Sequence, residues 1–167
     1  MGQLAVVIVP PASDMAGVEA VRRRFDSLAE AVPAHVTLIF PFEHEEADTA
    51  LTGHIQDAAA GVPAFDLELE GVMCSWDHHL FLLVDHGADE VRDLHDRLYS
   101  GVLGPLLSDQ EFTPHVTVGR FASAGECAAA LEVIESMELH VRTKAASLAI
   151  YDLTHSPYRV TARIPLA

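Results

Sequence analysis

"FTPHVTVGR" at residues 112–120 and "PAHVTLIF" at residues 33–40 are near-copies, and each carries a histidine and a threonine two positions apart. Both stretches follow a proline and continue into apolar residues, which indicates the start of a buried strand. Side chains two apart on a strand point to the same face. Each strand therefore offers one imidazole and one hydroxyl to a common surface, while Val36 and Val116 turn to the opposite, apolar face.

The first half of the chain predicts two strands, each followed by a helix, and then a third strand. The strands are "LAVVIVP" at 4–10, the first histidine strand, and the strictly alternating "FDLELEG" at 65–71. Ser13 or Asp14 is expected to cap the first helix, on which "RRR" at 22–24 mostly faces outward. The inward positions of this helix are Val18, Val21, Phe25 and Leu28. A second helix is expected over about 46–60, and its inward positions are Ala47, Leu51, Ile55 and Ala58.

The second half predicts a similar order of elements. "HLFLLVD" at 79–85 pairs with the third strand through a turn at "SWDH", and the helix after it ends at Gly104 and Pro105. The second histidine strand follows, then a helix over about 124–138 and two closing strands, "HVRTKAASLAIYDL" and "YRVTARIPL", joined through "THSP". The inward positions of the helix that ends at Gly104 are Val91, Leu94, Leu98 and Val102. Those of the helix over about 124–138 are Leu131 and Ile134.

The whole order, βαβαββαβαββ, divides near residue 75 into two halves of similar pattern. Each half contains one histidine strand after its first helix, and no linker or low-complexity tract separates the halves. We therefore expect one α+β domain over residues 1–167. Its two lobes are related by a pseudo-two-fold axis, and strands can be exchanged between them. Such symmetry would place the two histidine strands side by side.

Composition restricts the partners. The chain has 25 acidic and 10 basic residues, and its net charge of −15 repels long duplex RNA or DNA. A few arginines can still dominate the field inside a cleft, so a small phosphate ester or an RNA end is a compatible ligand. The apolar runs are shorter than the roughly 20 residues of a spanning helix, and the N-terminal stretch lacks a basic leader. We expect a soluble, cytoplasmic monomer with no membrane partner.

The spacing of cysteine and histidine predicts neither a disulfide nor a metal site. Cys74 and Cys127 lack zinc-ligand spacing and are expected to be reduced thiols. His78 and His79 are adjacent, so on a strand they point to opposite faces, and no helical H-x-x-x-H motif occurs. We expect no metal and no nucleotide cofactor.

Two imidazoles and two hydroxyls in one cleft suit the cleavage of phosphodiesters. A neutral imidazole accepts a proton from the attacking water or hydroxyl, and a protonated imidazole delivers one to the departing oxygen. The hydroxyls donate to the non-bridging oxygens. A lone histidine on a strand is more often structural, but duplication in matching context favours catalysis.

These features resemble the 2H phosphoesterases, above all their bacterial 2′-5′ RNA ligase-like (LigT-like) branch, whose two motifs are similar to "FTPHVTVGR" and "PAHVTLIFPF". The resemblance extends through the closing "SPYRVTARIPL" and implies a bilobal fold with two antiparallel sheets flanking a central cleft. It implies a catalytic set of His35, Thr37, His115 and Thr117. His115 is then the base and His35 the acid, although the two roles can exchange according to which oxygen of a cyclic phosphate leaves. The implied substrates are 2′,3′-cyclic phosphates or 2′-5′ phosphodiester bonds of small nucleotides or RNA ends.

Further site residues and two other functions stay open. Arg120 faces away from Thr117 in an unbroken strand, but a bulge at Gly119 would turn it towards phosphate. Tyr151 either stacks on a base or packs in the core, and His79 is placed at the cleft mouth. The same cleft would also serve RNA ligation, which is the reverse sense of the reaction, or hold a nucleotide phosphate without turnover.

Overall fold

The computed structural model describes residues 2–45 and 49–167. Within these residues the chain forms strands β1 (Gly2–Ile8), β2 (Val36–His44), β3 (Phe65–Cys74), β4 (His79–Val84), β5 (His115–Arg120), β6 (His140–Ala145), β7 (Ser147–Asp152) and β8 (Arg159–Pro165). The helices are α1 (Ala16–Phe25), α2 (Thr49–Ala59), α3 (Ala88–Leu98) and α4 (Ala124–Glu135), with short 3-10 turns at Ala12–Asp14 and Gly101–Leu106. None of the described helices has the length and apolar character needed to cross a membrane.

The strands form one curled antiparallel sheet in the order β6-β3-β4-β5-β2-β1-β7-β8. Its two halves, β6-β3-β4-β5 and β2-β1-β7-β8, are the two predicted antiparallel sheets, and they join where β2 meets β5 at Val36 and Val116. The predicted fold class is thereby confirmed. Because β3 pairs with β4 and β6 while β7 pairs with β1, each half of the sheet contains strands from both halves of the sequence.

The hydrophobic core lies between the sheet and the helices. Leu38 and Val118, on the apolar face of the histidine strands, are completely buried in it, together with Val18 of α1 and Leu94 of α3. Complete burial of such a side chain contributes about 1.5–3 kcal/mol. The two strands are thus anchored through one face, and their opposite face is left for the histidines and threonines.

Helix α1 differs from the sequence prediction at both ends. It begins at Ala16 with no side-chain cap, so neither Ser13 nor Asp14 caps it. Asp14 lies in the preceding 3-10 turn, where its Oδ2 accepts a 2.9 Å hydrogen bond from the Thr143 hydroxyl. The helix ends at Phe25, and Leu28 lies beyond it.

The basic run on α1 was predicted to face mostly outward, and two of its three arginines do so. Arg23 and Arg24 are exposed, but Arg22 is only 1% exposed. Its position four residues after Val18 places it on the buried face of the helix. Carboxylates and backbone carbonyls surround its guanidinium there, which offsets the cost of burying the charge.

Two other sequence predictions differ from the structure, and a third lies partly outside the described residues. The stretch predicted as one closing strand forms both β6 and β7, which pair with β3 and β1 in different halves of the sheet. No glycine or proline marks the boundary between β6 and β7, so the sequence pattern did not indicate it. Val102 is 62% exposed because α3 ends at Leu98. The start predicted for the second helix, with Ala47, lies outside the described residues, which resume at Thr49.

The prediction of two reduced cysteines is wrong. Cys74, at the end of β3, forms a disulfide with Cys127 on α4, and their Cα atoms lie 6.2 Å apart. Helix α4 packs on β3 and brings together residues that are 53 positions apart. Pairing over such a distance depends on tertiary packing, and local cysteine spacing carries no trace of it.

Candidate active site

The histidine and threonine of each strand meet those of the other at the centre of the sheet. Val36 lies opposite Val116 in the antiparallel pair of β2 and β5. Extended by one residue in each direction, this antiparallel register puts His35, which immediately precedes β2, beside Thr117 and puts Thr37 beside His115. Directly opposed residues in a regular antiparallel pair have Cβ atoms about 5 Å apart. All four side chains line one cleft, with the two imidazoles on one diagonal and the two hydroxyls on the other.

This cleft is large and carries few charges. Its volume is about 980 Å³, which is in the range of small-molecule sites. Apart from imidazoles, the charged side chains among its described lining residues are Arg120, Asp77 and Glu111. The described residues contain no group of three or more His, Cys, Asp or Glu side chains placed to hold a metal ion. A ligand in the cleft therefore meets one guanidinium close to the two central imidazoles.

The two central histidines are held in the same way. Nδ1 of His35 lies 2.7 Å from the carbonyl oxygen of Pro33, and Nδ1 of His115 lies 2.6 Å from that of Thr113. A carbonyl only accepts, so Nδ1–H donates in both rings, and a neutral ring then carries its lone pair on Nε2. Both motifs thus use the carbonyl two residues before the histidine to leave Nε2 as the basic atom.

Burial makes both imidazoles poor proton acceptors before a ligand binds. It lowers the pKa of His35 and that of His115 from 6.5 to about 4, against the opposing effect of the bonds to the two carbonyls. The positive charges of Arg22 and Arg120 lower the pKa of His35 further, and His35 and His79 do the same for His115. Near neutral pH, both rings of the free site are therefore neutral.

An aromatic ring fixes the plane of His115. The ring of Phe81 on β4 stacks on the imidazole, with centroids 3.4 Å apart and planes inclined by 14°. Phe81 also lies opposite Thr117 in the pair of β4 and β5. Sequence analysis did not identify this residue, although the alternation of "HLFLLV" puts Phe81 on the same strand face as His79.

A bulge in β5 turns Arg120 into the cleft. Leu80 lies opposite Gly119, but Phe81 lies opposite Thr117, so Val118 is an extra residue on β5. Val118 and Gly119 are both buried, and Arg120 returns to the side of Thr117 and lines the cleft. The sequence analysis expected Arg120 to turn towards the cleft if Gly119 allowed a bulge, and β5 has that bulge.

Gly119 is needed because of a close approach by aromatic side chains. A Cβ at this position would lie 2.8 Å from ring carbons of Phe121 and 3.3 Å from Cβ of Phe25. The rings of Phe25 and Phe121 pack against each other with centroids 6.1 Å apart. A side chain here would require the ring of Phe121 to move, so glycine is favoured next to the bulge that directs Arg120.

The guanidinium of Arg120 forms an ion pair with Asp26, which lies just beyond α1. The side chain of Asp26 is fully buried, and its other oxygen lies 2.9 Å from Nε of Arg22. Burial alone would raise the pKa of Asp26, but the hydrogen bond from the Leu28 N–H and the charges of Arg120 and Arg22 outweigh it, so the pKa lies below its ordinary value. Asp26 is ionised at neutral pH, and sequence reasoning missed it.

The other proposed binding residues lie on the cleft walls. His79 lines the cleft with Nδ1 3.3 Å from Asp77 Oδ2, and burial lowers the pKa of its ring. Tyr151 also borders the cleft but is only 4% exposed, and most of its ring packs in a small apolar cluster. Trp76 is 75% exposed at the same cleft, and its Nε1–H donates to Gln110 Oε1 at 3.2 Å.

The curled sheet and its paired histidine strands agree with the class of the 2H phosphoesterases, and a family model assigns the chain to that class. A model of the 2′-5′ RNA ligase superfamily matches residues 9–156, and the chain belongs to this superfamily. A Geobacillus kaustophilus protein that is provisionally named a phosphoesterase is 27% identical over 138 residues, covering 81% of this chain and 79% of its own. The predicted family is therefore confirmed.

Solved structures agree with this fold over the whole chain. The protein TT0787 of Thermus thermophilus superposes with a TM-score of 0.70 at 18% identity, covering 98% of this chain and 97% of its own. Escherichia coli LigT complexed with 3′-AMP gives 0.65 at 16% identity, covering 99% and 98%. LigT has also been solved with ATP, with phosphate and with NADP+. At these identities the likeness establishes the fold.

Proposed function

We propose that this protein is a phosphodiesterase that cleaves 2′,3′-cyclic phosphates or 2′-5′ phosphodiester bonds of small nucleotides or RNA ends. His35 and His115 are its acid/base pair, and the reaction needs no metal ion. One observation carries the proposal. Both imidazoles donate Nδ1–H to a backbone carbonyl, so both keep Nε2 for proton transfer in the cleft that they share.

In the forward reaction we assign the base to His115 and the acid to His35. Nε2 of His115 accepts a proton from water as the water oxygen bonds to phosphorus. The bond from phosphorus to the departing ribose oxygen breaks, and the imidazolium of His35 protonates that oxygen. Thr37 and Thr117 donate hydrogen bonds to the non-bridging oxygens, where negative charge increases in the transition state.

The low pKa of both rings requires substrate to create the acid. With a pKa of about 4, neither His35 nor His115 carries a proton at neutral pH in the free cleft. A phosphodiester anion next to His35 favours the imidazolium and raises the pKa of that ring. Substrate binding and uptake of the catalytic proton are therefore coupled, and the acid is formed only when a substrate is present.

The charges of the cleft favour a small substrate. The cleft is lined by one guanidinium, from Arg120, and two carboxylates among the described residues, which suits one phosphate group better than a long polyanion. The volume of about 980 Å³ accommodates a nucleotide. Small nucleotides and phosphate are also the ligands in the LigT structures.

The test is turnover of a panel of 2′,3′-cyclic mononucleotides and 2′-5′ dinucleotides, with products identified by NMR. His35→Asn and His115→Asn should each lower kcat by about a hundred- to ten-thousand-fold. His86→Asn, which removes an exposed imidazole outside the cleft, is the matched control and should keep full activity. EDTA should change nothing.

Two results would contradict the proposal. Full turnover in both cleft variants would remove the acid/base pair. Binding of cyclic nucleotides by calorimetry, with no product after long incubation of the wild-type protein, would show that the cleft holds a phosphate without cleaving it.

A further inference from the structure

We propose that Asp26 is a positioning residue that fixes the guanidinium of Arg120, while Arg22, which is bonded to Asp26, holds the segment that leads into His35. Helix α1 and the residue that follows it thereby connect the two histidine strands. The inference rests on the proposed function, in which Arg120 is the cation next to the phosphate.

The first step is the way in which Asp26 is held. Its Oδ2 accepts a hydrogen bond of 2.9 Å from Nε of Arg22. Its Oδ1 accepts one of 2.9 Å from the backbone N–H of Leu28 and another from Nη1 of Arg120. The carboxylate is fully buried, so three donors occupy its two oxygens without competition from bulk water. Its position, and that of the Arg120 nitrogen bonded to it, is therefore well determined.

The second step leads from Arg22 to the first histidine. Nη1 of Arg22 donates to the Val32 carbonyl at 2.9 Å and also to the carboxylate of Glu19. Glu19 in turn accepts a 2.5 Å hydrogen bond from the N–H of Ala34. These bonds hold the chain on both sides of the carbonyl that orients the His35 ring. The same buried network thus reaches both halves of the site.

The third step concerns the part of Arg120 that remains for substrate. The side chain is 25% exposed and lines the cleft. Its described hydrogen bond uses Nη1 and goes to Asp26, so Nε and Nη2 are left to donate towards a ligand. A guanidinium on a flexible stem loses considerable rotamer entropy when it binds an anion. Asp26 fixes the side chain before the ligand arrives.

Stability alone does not account for this arrangement. Buried ion pairs contribute little net stability, and apolar residues of similar volume often replace them without loss. Here a buried carboxylate lies between two arginines, one completely buried and one reaching the cleft. The carboxylates of Glu19 and Asp26 balance the charges of Arg22 and Arg120, so the buried part of the network is neutral while the guanidinium of Arg120 reaches the cleft.

The test is a double-mutant cycle on Asp26→Asn and Arg120→Met, with kcat and KM measured on a cyclic mononucleotide and with the affinity for sulfate. Asp26→Asn keeps the shape but releases the guanidinium, and we expect kcat/KM to fall about a hundredfold, as for a small misplacement of a catalytic group. If Asp26 acts through Arg120, the double variant should be no worse than Arg120→Met. Arg23→Met, an exposed cation on the same helix, is the control and should match the wild type.

Each outcome decides the matter. Losses that multiply in the double variant, in both kcat/KM and sulfate affinity, would overturn the inference while the proposed function stands. A wild-type protein without turnover would refute the proposed function, and the cycle on sulfate affinity would still decide whether Asp26 acts through Arg120. Should Asp26→Asn not fold, Asp26→Glu keeps the charge and moves it by one methylene, so unchanged kcat/KM and sulfate affinity in that variant would refute positioning.

Discussion

Replacing His115 by asparagine should make this protein less sensitive to acid. Burial holds the pKa of His115 at about 4 in the folded chain, against 6.5 for an unperturbed imidazole. As the pH falls from 6.5 to 4, the unfolded chain therefore binds a proton that the folded chain does not, and stability is lost over that window. At about 1.4 kcal/mol per pH unit, the full loss is on the order of 3 kcal/mol, of which about 2 kcal/mol falls between pH 8 and pH 5.

The assay is urea unfolding of wild type and His115→Asn at pH 8 and at pH 5. The asparagine amide can still donate to the Thr113 carbonyl, as Nδ1–H does, but it gains no proton. Between the two pH values the wild type should lose about 2 kcal/mol more than the variant. Thr117→Val alters the same cleft floor without removing an imidazole and should follow the wild type. Equal losses in His115→Asn and wild type would refute the claim that the fold keeps this ring neutral.

Three further predictions concern the cleft, the disulfide and the bulge. Sulfate does not titrate near neutral pH, so its binding at pH 7 should take up protons onto the central imidazoles, as measured by calorimetry in buffers of different ionisation enthalpy. Reduction of the bond between Cys74 and Cys127 should lower the free energy of unfolding by roughly 4 kcal/mol, as measured in urea, and reductant should not affect Cys127→Ala. Gly119→Ala should cost about 1–3 kcal/mol because its Cβ would meet the ring of Phe121, whereas Gly53→Ala, in open space on a helix, should not destabilise.

Local periodicity predicted the parts of the fold that depend on backbone geometry. Alternation along "FDLELEG" and "HLFLLVD" indicated β3 and β4 and their buried faces, and the structure pairs these strands as expected. The two-residue spacing of histidine and threonine predicted that His35 and Thr37 share a strand face, and both line the cleft. Such patterns are readable because successive residues on a strand point to opposite faces wherever the strand lies.

Other features left only a partial signal. The position of Arg22 four residues after Val18 is compatible with burial, but the charge of the side chain favoured an exposed position. Gly119 indicated a bulge, yet either direction of Arg120 was consistent with the sequence until the register of β4 and β5 was known. In both cases the partner that decides the outcome comes from elsewhere in the chain.

The sequence by itself determined most of the strands, their faces and the family, because each of these depends on residues close together or on a repeated pattern. Only the tertiary structure decided that Asp26 pairs with Arg120, 94 residues away, and that Cys74 pairs with Cys127, 53 residues away. It also decided that burial lowers the pKa of both central histidines. These properties arise when α1 and α4 pack on the sheet and exclude water, and no local pattern of residues encodes which distant groups then meet.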